Sequence, residues 1–352
     1  MMPEEWPIAA PAADQNAPAR PAGSDRLSTV RADFFLDPAA RLTEQERALM
    51  TAMLHCLIGE LADEIRAVLP SGWAAANDES NVALIDALTA ARLLDEPALM
   101  ALLLRRADEE RIATAAKSRS GRSDARILQG LVSHENGAIS AAAMALILAR
   151  GRRRDRFGQC LVGFDDLPFP TAEALVHAIA AFLRTDLAST QGAVEADGKL
   201  VAAAGQVLAS HNPGRGMNAL TAELARLLDE EGRLSDELIL AAANEGEAAF
   251  VADSIARRAG LPAAIAADEL LSAYPDRVIA LFRMANLRRE LVAELLANIG
   301  DLLGLREPGH AMAVFDRMSD AEVAAARARL AAAPAYRAAL AALGTDHGQR
   351  TV

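Results

Sequence analysis

The chain has 352 residues, 52% hydrophobic, 24% charged and only 4% aromatic, a balance that excludes wholesale disorder and fibrous repeats and leaves alanine and leucine to fill the core. Its longest stretch without a charged residue is the 15-residue run 200–214, short of the roughly 20 apolar residues that cross a bilayer, so no membrane span is expected. A net charge of −12 disfavours broad nucleic-acid binding, which needs a positive field to gather phosphates. The charge is uneven, however: residues 105–156 hold twelve Lys/Arg against six Asp/Glu.

Residues 1–25 alternate Pro and Ala with scattered polar residues and develop no apolar period, so they are expected to form a disordered arm with Trp6 as its one large aromatic. The start, Met1-Met2-Pro3-Glu4-Glu5-Trp6, lacks the positive and apolar regions of a secretory signal, and Cys56 and Cys160 are too few for a disulfide framework. A cytoplasmic protein is the expectation.

Helical periodicity begins in earnest at Thr43-Glu44-Gln45-Glu46, a capping box. Apolar residues then recur three or four apart from Leu49 through Met53, Cys56/Leu57, Leu61 and Ile65 to Val68, and Pro70-Ser71-Gly72 stops the run. This predicts one long helix with Cys56 in its buried stripe and His55 beside it. Shorter helices are predicted over 82–94, 99–116, 127–132 and 139–149, the last apolar enough to be buried on most sides. Others follow over 171–183, 194–209, 219–229, 235–243, 248–258, 263–271, 277–285, 289–303, 319–333 and 336–343. No segment alternates as a strand would. Three cap-plus-apolar segments, starting at Asp95, Ser123 and Ser235, align without gaps and favour stacked helical hairpins over a four-helix bundle. The fold class is therefore all-α, a HEAT-like array of hairpins. The period lapses at Ala188-Ser189-Thr190-Gln191-Gly192, with His211-Asn212-Pro213-Gly214-Arg215-Gly216 as the rival break; the first divides the expectation into an N-terminal helical domain (26–187), a C-terminal one (194–345) and a disordered tail (346–352).

Few residues point to chemistry. No two of the six histidines have zincin spacing and no Cys-x-x-Cys occurs, so no metal site, cofactor or catalytic residue is expected. His177 reads as a core or boundary histidine, and His134-Glu135-Asn136-Gly137 as a turn between helices. Gly214-Arg215-Gly216 lacks the Lys-Ser/Thr of a phosphate-binding loop, and Asp165-Asp166 reads as loop solvation. The pointed feature is the cluster Arg150, Arg152, Arg153, Arg154 and Arg156. One helix C-terminus cannot use five guanidiniums, and only Asp155 lies nearby in sequence to neutralise them. The apolar loop that follows, from Phe157 to Phe164, is expected to tuck both aromatics into the core and hold the arginines on a rigid edge.

Three stretches carry a resemblance. Ser123-Asp124 through Ala149 with Arg152-Arg153-Arg154-Asp155-Arg156-Phe157-Gly158 and Asp166-Leu167-Pro168, then Leu42 to Arg47, and then Arg233 to Leu238 with Gly246, Phe250 and Ala259-Gly260-Leu261-Pro262 together resemble the uncharacterised bacterial family called domain of unknown function 2336. The resemblance implies an all-helical, HEAT-like fold and no particular activity. The expectation is thus a non-enzymatic scaffold or regulator that meets a protein partner, acidic where it faces the arginines. The alternative is a binding module for an anionic ligand, such as a nucleotide, a phosphorylated molecule or nucleic acid, at the same block.

Overall fold

In a computed structural model the capping box forms as written: the Thr43 hydroxyl accepts the Glu46 N–H at 3.1 Å and the Glu46 carboxylate accepts the Thr43 N–H at 2.8 Å. The structure describes residues 42–69, 78–120, 126–156, 158–191, 193–272 and 274–342. The expected arm, Trp6, Phe157 and the tail lie outside them. Contacts divide the chain into two units, Met1–Leu42 and Thr43–Val352, and every element below belongs to the second.

Sixteen α-helices and no strand are present among the described residues. Helix α1 (Glu44–Val68) packs on α3 (Pro97–Ser120), α6 (Phe169–Gln191), α7 (Ala193–Ser210) and α2 (Asp78–Ala90). These neighbours draw in Met50, Met53, Leu57, Ile58, Leu61, Ala62 and Ile65. The buried stripe is therefore centred well away from Cys56, which is exposed, contrary to expectation; His55 beside it is exposed too.

A second set of helices surrounds an extensive apolar cluster, whose members run from Ile112 to Leu330. It comprises α4 (Arg126–Val132), α5 (Gly137–Arg152), α8 (Met217–Glu230), α9 (Asp236–Asn244), α10 (Ala248–Ala259), α11 (Ala263–Leu270), α12 (Pro275–Met284), α13 (Arg289–Ile299), α14 (Pro308–Arg317) and α15 (Asp320–Ala331), with α16 (Pro334–Ala342) closing the described chain. At its centre α10 buries Phe250, Val251, Ala252, Ile255, Ala256 and Ala259, and touches α3, α8, α9, α11 and α12. Its buried Ser254 is satisfied by donating to the Phe250 carbonyl at 2.7 Å.

Residues 188–191 belong to the last turn of α6, which packs on α7 within the unit. Packing mixes the two halves of the chain, because α7 joins α1 while α4 and α5 join α8 and α9. Helix α3 serves both sets. Leu99 and Leu103 are buried near its start, and Ile112 enters the large cluster. Along its length Arg105 pairs with Asp268 at 2.8 Å, Arg111 donates to the Leu302 carbonyl at 2.9 Å, and Arg119 donates to the Asn298 carbonyl at 2.5 Å.

Two features differ from the periodicity reading. Helix α14 was not expected, although Pro308 at its first turn and Ala311, Val314 and Phe315 on its buried side are ordinary helix signals. Helix α5 buries Ile139, Ala143 and Leu146 but leaves Met144 and Leu148 in solvent, so it is covered on one side only.

Gly246 joins α9 to α10 with φ +76, and a Cβ there would lie 2.7 Å from the Ala113 Cα of α3. Gly246→Ala combines left-handed strain with a backbone clash and is expected to lower stability by about 1–3 kcal/mol, read as a reduced midpoint in urea denaturation.

Candidate functional site

The site begins where α5 ends. Arg153 caps the helix, its N–H reaching the Ala149 and Arg150 carbonyls, and the chain then doubles back in a tight hairpin. Arg154 and Cys160 form an isolated antiparallel bridge, Leu161 donates its N–H to the Arg153 carbonyl at 2.8 Å, and the Asp155 carboxylate accepts the Gln159 N–H at 2.8 Å.

The hairpin delivers Asp166, at the end of a single 3₁₀ turn (Phe164–Asp166), into the interior. Its carboxylate has no solvent exposure. One oxygen accepts the Gly163 N–H and the Arg153 Nε–H, both at 2.9 Å. The other accepts the Met217 N–H at 2.7 Å, at the first residue of α8, and lies 3.8 Å from Arg106. Asp166 thus satisfies an orphan donor at a helix N-terminus 51 residues away, where a negative charge also complements the helix dipole. The loop-solvation reading of Asp165-Asp166 is corrected by this geometry. Asp165 likewise binds inward, accepting the Asn212 N–H at 2.9 Å.

Arg106 is 5% exposed and is anchored on three sides. It donates to Glu109 at 2.5 Å and to Asn218 at 2.7 Å and faces Asp166. Burial drives its guanidinium toward neutrality, but Glu109 and Asp166 outweigh that and hold it more firmly charged than free arginine.

The five arginines of the cluster separate. Arg150 makes a two-pronged pair with Glu247, at 2.6 Å for the first contact. Arg153 goes to Asp166, and its guanidinium lies so close over Gly163 that a Cβ there would be 2.0 Å from its Cζ. Arg154 forks onto Glu110 at 2.9 and 3.0 Å and also donates to the Gly158 carbonyl. Arg152 and Arg156 remain exposed. The acids that meet three of the guanidiniums come from α3, the 3₁₀ turn and the α9–α10 connection, 44, 13 and 97 residues away in sequence. Phe164 is half-buried and packs edge-on against His211 at 4.8 Å, so it stabilises the loop from the rim rather than from the core.

Between α3, the end of α5, α8 and the 245–249 turn lies a cleft of about 470 Å³. Arg106, Lys117, Arg150, Arg153 and Arg154 line it together with Glu109, Glu110, Glu245 and Glu247. Cys160 faces it too, but burial, reinforced by Glu110, pushes its thiol up to about 11, so it stays protonated and weakly nucleophilic at neutral pH. The histidines are dispersed: His177 is exposed on α6 instead of at a boundary, and His134 accepts the Asn136 N–H at 3.1 Å in its turn. No group of three His, Cys, Asp or Glu is placed to hold a metal among the described residues, and no described helix is long and apolar enough to cross a membrane.

The family model described as "Uncharacterised protein conserved in bacteria (DUF2336)" matches residues 86–337. The chain belongs to this family. The matched span of this DUF2336 chain holds the arginine cluster, Asp166 and every residue lining the cleft, whereas the Leu42–Arg47 segment lies ahead of it. No curated protein and no solved structure matches the chain.

Two outcomes follow for stability. Asp166→Ala strands the buried Arg106, the half-buried Arg153 and two backbone donors, so it is expected to cost about 3–5 kcal/mol in urea denaturation, while Arg152→Ala leaves the midpoint unchanged. Asp253 of α10 is buried, and burial first, then the Glu109 charge, raises its carboxyl from 3.8 to about 7 against the pull of Arg105, Arg106 and Arg257. The folded state therefore holds a proton that the unfolded chain gives up near pH 4. Its contribution to stability is present at low pH and is lost as pH rises through about 7. Asp253→Asn should raise the melting temperature at pH 8 and leave it nearly unchanged at pH 4.

Proposed function

We propose that this protein is a non-enzymatic helical scaffold or regulator of the bacterial cytoplasm, its hairpins stacked in a HEAT-like array, which acts by binding another polypeptide. The observation that carries the reading is the solvent face of α5. From Gly137 to Ala149 the helix has no charged residue, and its outward positions Ala141, Met144 (42% exposed) and Leu148 (53%) form a bare apolar stripe ending at Arg152. Exposed helix faces are ordinarily polar, and an apolar one marks a surface that spends its working life covered. The ion pairs of Arg150, Arg153 and Arg154 hold the end of this helix rigid, which reduces the ordering cost of docking there.

The test is capture of partners on immobilised protein with quantitative mass spectrometry, comparing wild type with the double variant Met144→Glu and Leu148→Glu and with Val201→Glu as a control on another exposed apolar position. The double variant is expected to lose at least about tenfold of any saturable partner while the control retains it. Identical profiles for all three proteins would sink the reading, and so would turnover in a broad substrate screen that His134→Ala abolishes.

A second reading, favoured by the cleft, is an anionic-ligand module. Its four arginines are paired with carboxylates, so a phosphate must displace Glu110 or Glu247 to bind. Calorimetric titration with pyrophosphate would support this reading if binding weakened steeply with salt and vanished in Arg154→Glu. No heat at low salt removes it.

A further inference from the structure

The α5 stripe has a polarity along its length that says what covers it. Its outward residues grow from small to large along the chain: Gly137, Ala138 and Ala141 in the first half, Met144, Leu148 and Arg152 in the second. Its two ends carry opposite charge. At the start stands exposed Glu135, beside the Glu231 carboxylate that holds the Asn136 side chain; at the finish stand exposed Arg152 and Arg156. No ion pair joins Glu135 or Arg152 to another described residue.

Such a face is complementary to itself when turned end for end. We propose that α5 is the contact between two copies of this chain, paired antiparallel about a two-fold axis near Met144. This rests on the reading of the stripe as a protein-binding surface and names its occupant. Antiparallel pairing centred there lays Leu148 over Ala141 of the partner subunit and brings Arg152 to Glu135 of the partner subunit, twice by symmetry. Large side chains then fall on small ones, which lets the helix backbones approach closely, and each basic end meets an acidic one. Parallel pairing would set Arg152 against its own copy and Leu148 against its own, leaving gaps at Gly137 and Ala141. Within one chain Glu135 and Arg152 are 17 residues apart, about 25 Å along the axis, and cannot meet. The helix is about 24 Å long, a small contact beside the roughly 800 Å² per partner of a standard interface, so the dimer dissociates on dilution.

Sedimentation equilibrium of the full chain over a concentration series reads this directly. The wild-type mass is expected to climb from 37.1 kDa toward twice that value, while Met144→Glu stays at the monomer mass. Because Met144 is exposed, the variant keeps the wild-type melting curve, and the loss is not one of folding. Arg152→Glu alone and Glu135→Arg alone should each weaken association by about tenfold or more through like-charge contact. Mixed together, these two single variants restore both pairs and should recover the dimer; a parallel contact, which already sets like charge against like in the wild type, would not be weakened by either variant alone. A wild type that remains monomeric throughout overturns the proposal, as does a dimer that Met144→Glu leaves intact or charge variants that fail to complement on mixing. Were the wild type monomeric and yet the α5 double variant unable to capture a different protein, the scaffold reading would stand and this one would fall.

Discussion

A carboxylate with no water around it organises this molecule. Isolated in the interior, the Asp166 charge would be prohibitively costly, and it is tolerated because four groups converge on it: two backbone N–H groups and two guanidiniums, Arg153 in direct contact and Arg106 at 3.8 Å. Those groups come from four places in the chain, namely the loop after α5, the helix C-cap, the start of α8 and the middle of α3. Satisfying one charge thus fixes the mutual placement of all four. The cleft follows from that placement, since α3, the α5 terminus and α8 are three of its walls.

Helix α3 has the complementary role. It contributes apolar residues to the packing of α1 at one end and to the large cluster at the other, and its arginines reach in both directions. Gly246 is part of the same arrangement, because only a residue without a side chain lets the α9–α10 turn approach Ala113 and Ala116. The cluster that looks in sequence like a loose positive edge is in this way drawn into the framework: Arg150, Arg153 and Arg154 are tied to acids of the same chain.

The elements were legible because their signals are local. Thr43 with Glu46, Asn136, Ser235 and Ser319 with Glu322 cap helices within three residues of themselves, and amphipathic spacing needs only one turn to show. What stayed hidden depends on distant partners. Asp166 reads as a surface acid until Met217 and Arg106 are brought to it, and nothing in its neighbours in sequence announces them. The same holds for Glu247 and Glu110, which disarm Arg150 and Arg154 from 97 and 44 residues away. Cys56 and the outer side of α5 misled for a related reason: periodicity says that a helix has an apolar face, but neighbours decide where its centre lies and whether a second apolar face is covered. His177 is a plainer case, a polar residue between apolar ones that points outward from α6.

The junction made by Arg111 and Arg119 ties the far half of α3 to the 298–302 turn. Both reach backbone carbonyls, those of Leu302 and Asn298, in addition to nearby carboxylates. A carbonyl is offered by every residue type and does not titrate in water. In acid, where burial makes Asp108 take up its proton early, the grip of Arg111 on the turn passes to the Leu302 peptide oxygen, and substitutions at positions 298 and 302 leave the acceptors in place. The far end of α3 is in this sense fastened to the path of the chain rather than to its side chains.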